Sequence, residues 1–216
     1  MIITWYGEAG FLLESSGVRV LIEPPQKESG LVPPRLKSDI LIYSKKVSPL
    51  APVGSEETFV VDGPGEYEIK GINISGVGDD DGNIIYTILM DGVKISHFGF
   101  IKKEPNNEKL EFINSPDIVL MPVGGLPALP GRQAGGRQGL KDELFDAEMA
   151  MKLINKMEPK IAIPMLYDIK GLKIKRAPLS LFLKESEAKN SPQSKLSVKK
   201  KDLAEEETKI VILEKV

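Results

Sequence analysis

The first hundred residues form a succession of short apolar or alternating runs broken by small turn residues, and this limits the fold more than any other feature of the chain. Residues 2–5, 11–14 and 18–22 are three such runs. Gly7, Gly10 and the Ser-Ser-Gly of 15–17 separate them, which is where strands change direction. Residues 39–43 and 58–61 have the composition of buried strands, and 66–70 and 72–75 flank Gly71. Residues 84–90 and 93–97 are joined by Asp91-Gly92, a dipeptide that suits the positive backbone angles of a tight hairpin.

The second half has another rhythm. Residues 117–121 read as a buried strand running into Pro-Val-Gly-Gly. Residues 126–143 are rich in Gly, Pro, Arg and Gln without an apolar period and read as a long loop. Ala147, Ala150, Leu153, Ile154 and Met157 then recur at helical spacing, with Asp146 as N-cap and Pro159 as terminator. Residues 160–165 return to strand, 190–194 form a polar linker, and 196–198 and 209–213 are closing strands. Strands followed by strand–helix–strand predict α/β layers rather than a pure sandwich. A chain of 216 residues suits one domain, spanning 1–216.

Composition narrows the chemistry. The chain has one histidine, His97, and no cysteine. Imidazole and thiolate are the usual ligands of zinc, copper and much protein-bound iron, so a multi-histidine or thiolate centre cannot be assembled. Disulfides and thiol catalysis are excluded with them. The formal net charge of −2 provides no global field for nucleic acid or anionic membrane, and neither is an expected partner. No stretch approaches the roughly 20 apolar residues of a membrane span. The N-terminus lacks the basic start and apolar core of a secretion signal, so the expected compartment is the cytoplasm.

The ordered segments resemble the zinc-dependent hydrolases of the metallo-β-lactamase fold, in the branch that includes ascorbate-phosphate lactonase-like proteins. The resemblance is carried by Trp5-Tyr-Gly-Glu-Ala-Gly-Phe11, Val20-Leu-Ile-Glu-Pro24, Ser38-Asp-Ile-Leu-Ile42, Asp62-Gly-Pro-Gly-Glu-Tyr-Glu68, Ser96-His-Phe-Gly99, Asp117-Ile-Val-Leu-Met-Pro-Val-Gly-Gly125 and Pro159-Lys-Ile-Ala-Ile-Pro-Met165, in the family's order. It implies an α/β fold, a four-layer αββα sandwich, and a metal-dependent hydrolase ancestry. The ligand positions it implies are nonetheless empty of ligands. The family's His-x-His-x-Asp-His motif falls on Lys45, Val47, Pro49 and Leu50. The segment matching a further family histidine, 76–83, contains none. The bridging aspartate falls on Phe100 and the last ligand on Leu166, while His97 matches a position that is not a ligand.

A catalytic zinc needs about three protein ligands and an open position for water. The expectation is therefore a metallo-β-lactamase fold without metal ligands and without a cofactor, acting as a non-catalytic binding or structural protein. The alternative is a divergent hydrolase of a small phosphorylated or lactone substrate. If the protein binds, the candidate contacts are Lys45 and Lys46 at the former motif, His97 beside it, and Arg132 and Arg137 in the long loop. The partner would be a small anion or a protein, and a homo-oligomer fits the same role. Competing local readings are plainer: Lys45 as an exposed loop lysine, His97 as an ordered core or rim histidine, the 79–83 acidic run as a hairpin turn, and the Gly63-Pro-Gly65 turn as structural.

Overall fold

The computed structural model describes residues 1–45, 57–126, 144–188, 191–204 and 207–216. Thirteen strands lie in two sheets among these residues. In the first sheet β1 (Ile2–Gly7), β2 (Gly10–Ser15) and β3 (Val18–Ile22) run antiparallel, and β4 (Ile40–Ile42) and β5 (Phe59–Val61) continue parallel to β3. The strand β12 (Leu196–Ser197) closes the other side against β1. In the second sheet β6 (Gly65–Ile69), β7 (Ile72–Gly78), β8 (Ile84–Met90) and β9 (Val93–His97) form an antiparallel meander. It continues in parallel through β10 (Ile118–Pro122), β11 (Ile161–Met165) and β13 (Lys209–Ile210).

Alternation assigns the faces. Ile3, Trp5, Phe11, Leu13, Val20, Ile22, Ile40, Ile42 and Val61 point inward from the first sheet and share one core with the second. The residues between them, Leu12, Leu21, Leu41 and Tyr43, face outward and pack with Tyr6 and Leu36. This is the period-2 signature of a sheet with two differently occupied faces. In the second sheet β10 and β11 are buried on both faces, and helices lie against the sheet: α1 (Asn107–Ile113) touches β7, α2 (Ala147–Met157) touches β10, and α3 (Leu179–Ser186) packs on α2. The fold is the α/β two-sheet arrangement that the resemblance implies.

Local chemistry explains most element limits. The Asp146 side chain accepts the Met149 N–H at 2.9 Å, capping α2, and the helix ends where Glu158 turns left-handed before Pro159. The helices α1 and α3 were not expected from the sequence. Asn106 caps α1 through the Lys109 N–H, but seven residues are too few for a clear period. The helix α3 has no side-chain cap, and only Phe182 of its residues is fully buried. The 79–83 run is the hairpin turn anticipated for it: the Asp79 carboxylate accepts the N–H groups of Asp81 and Asn83. The Gly63-Pro-Gly65 turn is structural, because the Tyr67 and Tyr86 hydroxyls both donate to the Gly63 carbonyl at 3.0 Å. No described helix is long and apolar enough to cross a membrane.

Candidate functional site at the strand ends

The carboxyl ends of the parallel strands in both sheets converge on one edge, where α/β proteins place their chemistry because loops there are free of the core's packing demands. The first sheet contributes the β1–β2 turn with Glu8 and Ala9, Glu23 after β3, and Ser44 and Lys45 after β4. The second contributes His97 to Phe100 after β9, Gly124 after β10 and Leu166 after β11.

His97 is fully buried, and its partners define its state. Nε2 lies 3.0 Å from the Ala9 carbonyl, which can only accept, so Nε2 carries the proton. Nδ1 accepts the Gly99 N–H at 3.2 Å, and the Ser44 hydroxyl lies 3.3 Å from the same atom. Burial pulls the imidazole pKa down to about 4, so the ring is neutral. A general base works best with a pKa near the working pH and an open lone pair. His97 has neither, and it serves instead to bond β9 to the β1–β2 turn across the sheet interface.

Around it the polar groups are mutually satisfied. Asn83 accepts the Phe100 N–H at 2.7 Å and donates to the Phe98 carbonyl at 3.3 Å. The Ser44 carbonyl accepts the Ile84 N–H at 2.7 Å, another bond between the sheets. Gly99 has a φ of +58°, and a Cβ there would lie 2.4 Å from Asn83 Oδ1, so only glycine fits. The carboxyl of Glu23 accepts the Ser44 N–H, and burial pushes its pKa up to about 7 despite that bond and the nearby Lys45 charge.

The Glu8 carboxylate takes a bidentate grip from Arg176, Nη2 to Oε2 at 2.8 Å and Nε to Oε1 at 3.3 Å. Both side chains are buried, at 8% and 7% exposure respectively. The Glu8 carbonyl accepts Trp5 Nε1–H at 3.0 Å and Leu166 N–H at 3.3 Å. Glu8, Glu23 and Leu166 all have left-handed backbones, with φ of +50°, +42° and +63°. That conformation costs a side-chain-bearing residue about 1–2 kcal/mol, and such strain concentrates at functional edges.

The expected site residues are distributed unevenly. Lys45 is exposed, with its ammonium 4.8 Å above the centre of the Phe100 ring. His97 lies on the same edge but is sealed beneath it. Lys46, Arg132 and Arg137, like Val47, Pro49 and Leu50, lie outside the described residues. Leu166, at the position of the last implied ligand, is fully buried. No group of three or more His, Cys, Asp or Glu able to hold a metal ion occurs among the described residues. The donor set they present does not fit a catalytic zinc.

Sequence reading did not single out Glu8, Glu23, Ser44, Asn83 or Arg176. The Glu-Pro-Pro at the end of β3 was the one available signal, a carboxylate where an apolar strand meets a turn. A family model of the β-lactamase superfamily domain matches residues 2–166. The chain belongs to the metallo-β-lactamase superfamily. Its fold superposes with a TM-score of 0.77 and 26% identity on a Thermotoga maritima protein assigned to the Zn-dependent hydrolases of this superfamily, covering 99% of this chain and 98% of the other. An Archaeoglobus fulgidus protein named as a UPF0173 metal-dependent hydrolase is 24% identical over 78% of this chain and 84% of its own length. The metallo hydrolase Igni18 of Ignicoccus hospitalis, at 16% identity and a TM-score of 0.58 over 98% of this chain and 94% of that one, shares the fold.

Proposed function

We propose that this metallo-β-lactamase-fold chain has lost its metal ligands and acts as a non-catalytic binding or structural protein. The observation that carries the reading is the occupancy of the strand-end edge. Leu166 fills a ligand position with a buried aliphatic side chain, and Phe100 fills another beneath the Lys45 ammonium. No described donor group could replace them. Among the described residues no ligand set would hold an ion to bring a water pKa toward neutrality. His97 does not substitute as a base, since donors occupy Nδ1 and a carbonyl holds Nε2.

Lys45 is an exposed cation at this edge, and the partner class that suits it is a small anion or an acidic protein surface. Elemental analysis of untagged native protein tests the reading, with essentially no zinc expected. About one tightly held transition ion per chain would overturn it.

A second reading is a divergent hydrolase of a small phosphorylated or lactone substrate; the relatives are named as metal-dependent and Zn-dependent hydrolases, which bears on hydrolase ancestry and not on a substrate. A screen of phosphodiesterase, lactonase and esterase substrates separates the two. Turnover that survives chelation and disappears in His97→Ala would support the hydrolase; no turnover supports the binding protein.

A further inference from the structure

Glu8 and Arg176 are 168 residues apart in sequence and belong to opposite halves of the sandwich. Glu8 lies in the β1–β2 turn of the first sheet. Arg176 lies in the return segment after β11, where the Ala177 N–H bonds the Gly124 carbonyl and the Asp168 N–H bonds the Ala177 carbonyl, each at 2.9 Å. The guanidinium is thereby anchored to the ends of β10 and β11. The pair spans the two sheets on the edge where Lys45, Phe100 and Leu166 stand.

We propose that the Glu8–Arg176 ion pair is a metal-independent brace that locks the two sheets together and positions Leu166 at the strand-end edge. This rests on the reading that the metal ligands are gone, and it adds what holds the edge closed in their absence. Glu8 is bonded at both ends of its residue. Its carboxylate meets the Arg176 fork, and its carbonyl meets the Leu166 and Trp5 N–H groups. Fixing the carboxylate therefore fixes the carbonyl that receives Leu166. The planar fork defines distance and angle together, which a lysine ammonium on a flexible stem does not. Because both groups are withdrawn from water, removing one leaves the other charged and unpaired inside the protein, the costly way to break such a pair.

The test is a thermal-denaturation cycle of Glu8→Gln, Arg176→Met and the double variant, each with and without EDTA, alongside Arg176→Lys. Each single variant should lose about 10 °C in Tm. The double should lose clearly less than the sum of the singles, and Arg176→Lys should fall near Arg176→Met. Hydrogen exchange at the Leu166 amide should accelerate in the singles more than at the amides of β7. Single variants within about 2 °C of the parent, or a double equal to the sum, would overturn the brace. If the singles do not fold, a folded double still supports the coupling, and a double that also fails overturns it. An EDTA-induced Tm loss in the parent, with zinc released in stoichiometric amount, would strike the metal-free reading instead, and is distinguishable because it leaves the coupling in the cycle intact.

Discussion

The two ends of the sandwich handle charge in contrasting ways. At the amino ends of β3, β4 and β5 an open cleft of about 530 Å3 is lined by Glu14, Arg19, Lys37, Asp39, Glu57 and Lys70. Arg19 pairs with Glu14 at 3.0 Å and Lys70 pairs with Asp39, with half of each cation's side chain in solvent. At the carboxyl ends Glu8 and Arg176 meet with almost no solvent contact, beside a neutral His97 and an uncomfortable Glu23. Water compensates either partner of an exposed pair when the other is removed, so the cleft tolerates change. The strand-end edge has no such reserve, and its polar groups stand or fall together.

Several substitutions would break or sharpen that contrast. The largest effect is expected from Gly124→Ala at the strand-end edge. A Cβ there would lie 1.8 Å from the Leu166 carbonyl oxygen, a backbone atom that cannot rotate away. Chemical denaturation should report a loss of about 3 kcal/mol or more. A loss under about 1 kcal/mol would mean that the edge is looser than its hydrogen bonds imply.

Next in size is the pH behaviour of Glu23 and His97. The Glu23 pKa is raised to about 7, so the folded chain holds an extra proton between the ordinary carboxyl range and pH 7, and this group's contribution falls as pH rises through that window. The His97 pKa is lowered to about 4, so its contribution is present above the ordinary imidazole value and is lost as pH falls toward 4. The two slopes oppose each other between about pH 4.5 and 6.5, and the parent's stability should vary little there. Glu23→Gln removes one slope. It should stabilise the protein by about 1–2 kcal/mol at pH 8, do almost nothing at pH 5, and uncover the acid-side decline due to His97. A Glu23→Gln effect that does not depend on pH would refute the assignment.

The smallest effect belongs to the cleft. Lys70→Ala and Arg19→Ala should each change stability by about 1 kcal/mol or less, and the change should shrink in 0.5 M salt as the exposed pairs are screened. Urea midpoints at low and high salt would measure this. A large, salt-insensitive loss would give the cleft the same character as the opposite edge and erase the distinction.

Much of this architecture was legible in the chain, for reasons that are local. Strands β1 to β9 follow from short apolar or alternating runs, most of them bounded by Gly, Ser and Asp-Gly turns, and α2 from its apolar spacing and the Asp146 cap. The family's order of motifs, as the resemblance implies it, puts ligand positions at Lys45, Phe100 and Leu166. The short helix α1 escaped because about two turns resemble a loop, and α3 because it has no side-chain cap to mark its start. The site's chemistry was less legible than its place in the fold. His97 stood out by being alone of its kind, yet its neutral state follows from the Ala9 carbonyl and Gly99 N–H that the fold brings to its two nitrogens.

By itself, then, the sequence determined where most strands and the α2 helix fall along the chain and the absence of thiolate ligands, because these depend on residue type and on spacing of a few positions. Only the tertiary structure decided that Glu8 would grip Arg176, that Glu23 would be pressed toward its neutral form, and that Leu166 would be held left-handed. Those outcomes depend on which distant segments share a low-dielectric space, and no local pattern encodes the desolvation that folding imposes on a carboxylate 168 residues from its partner.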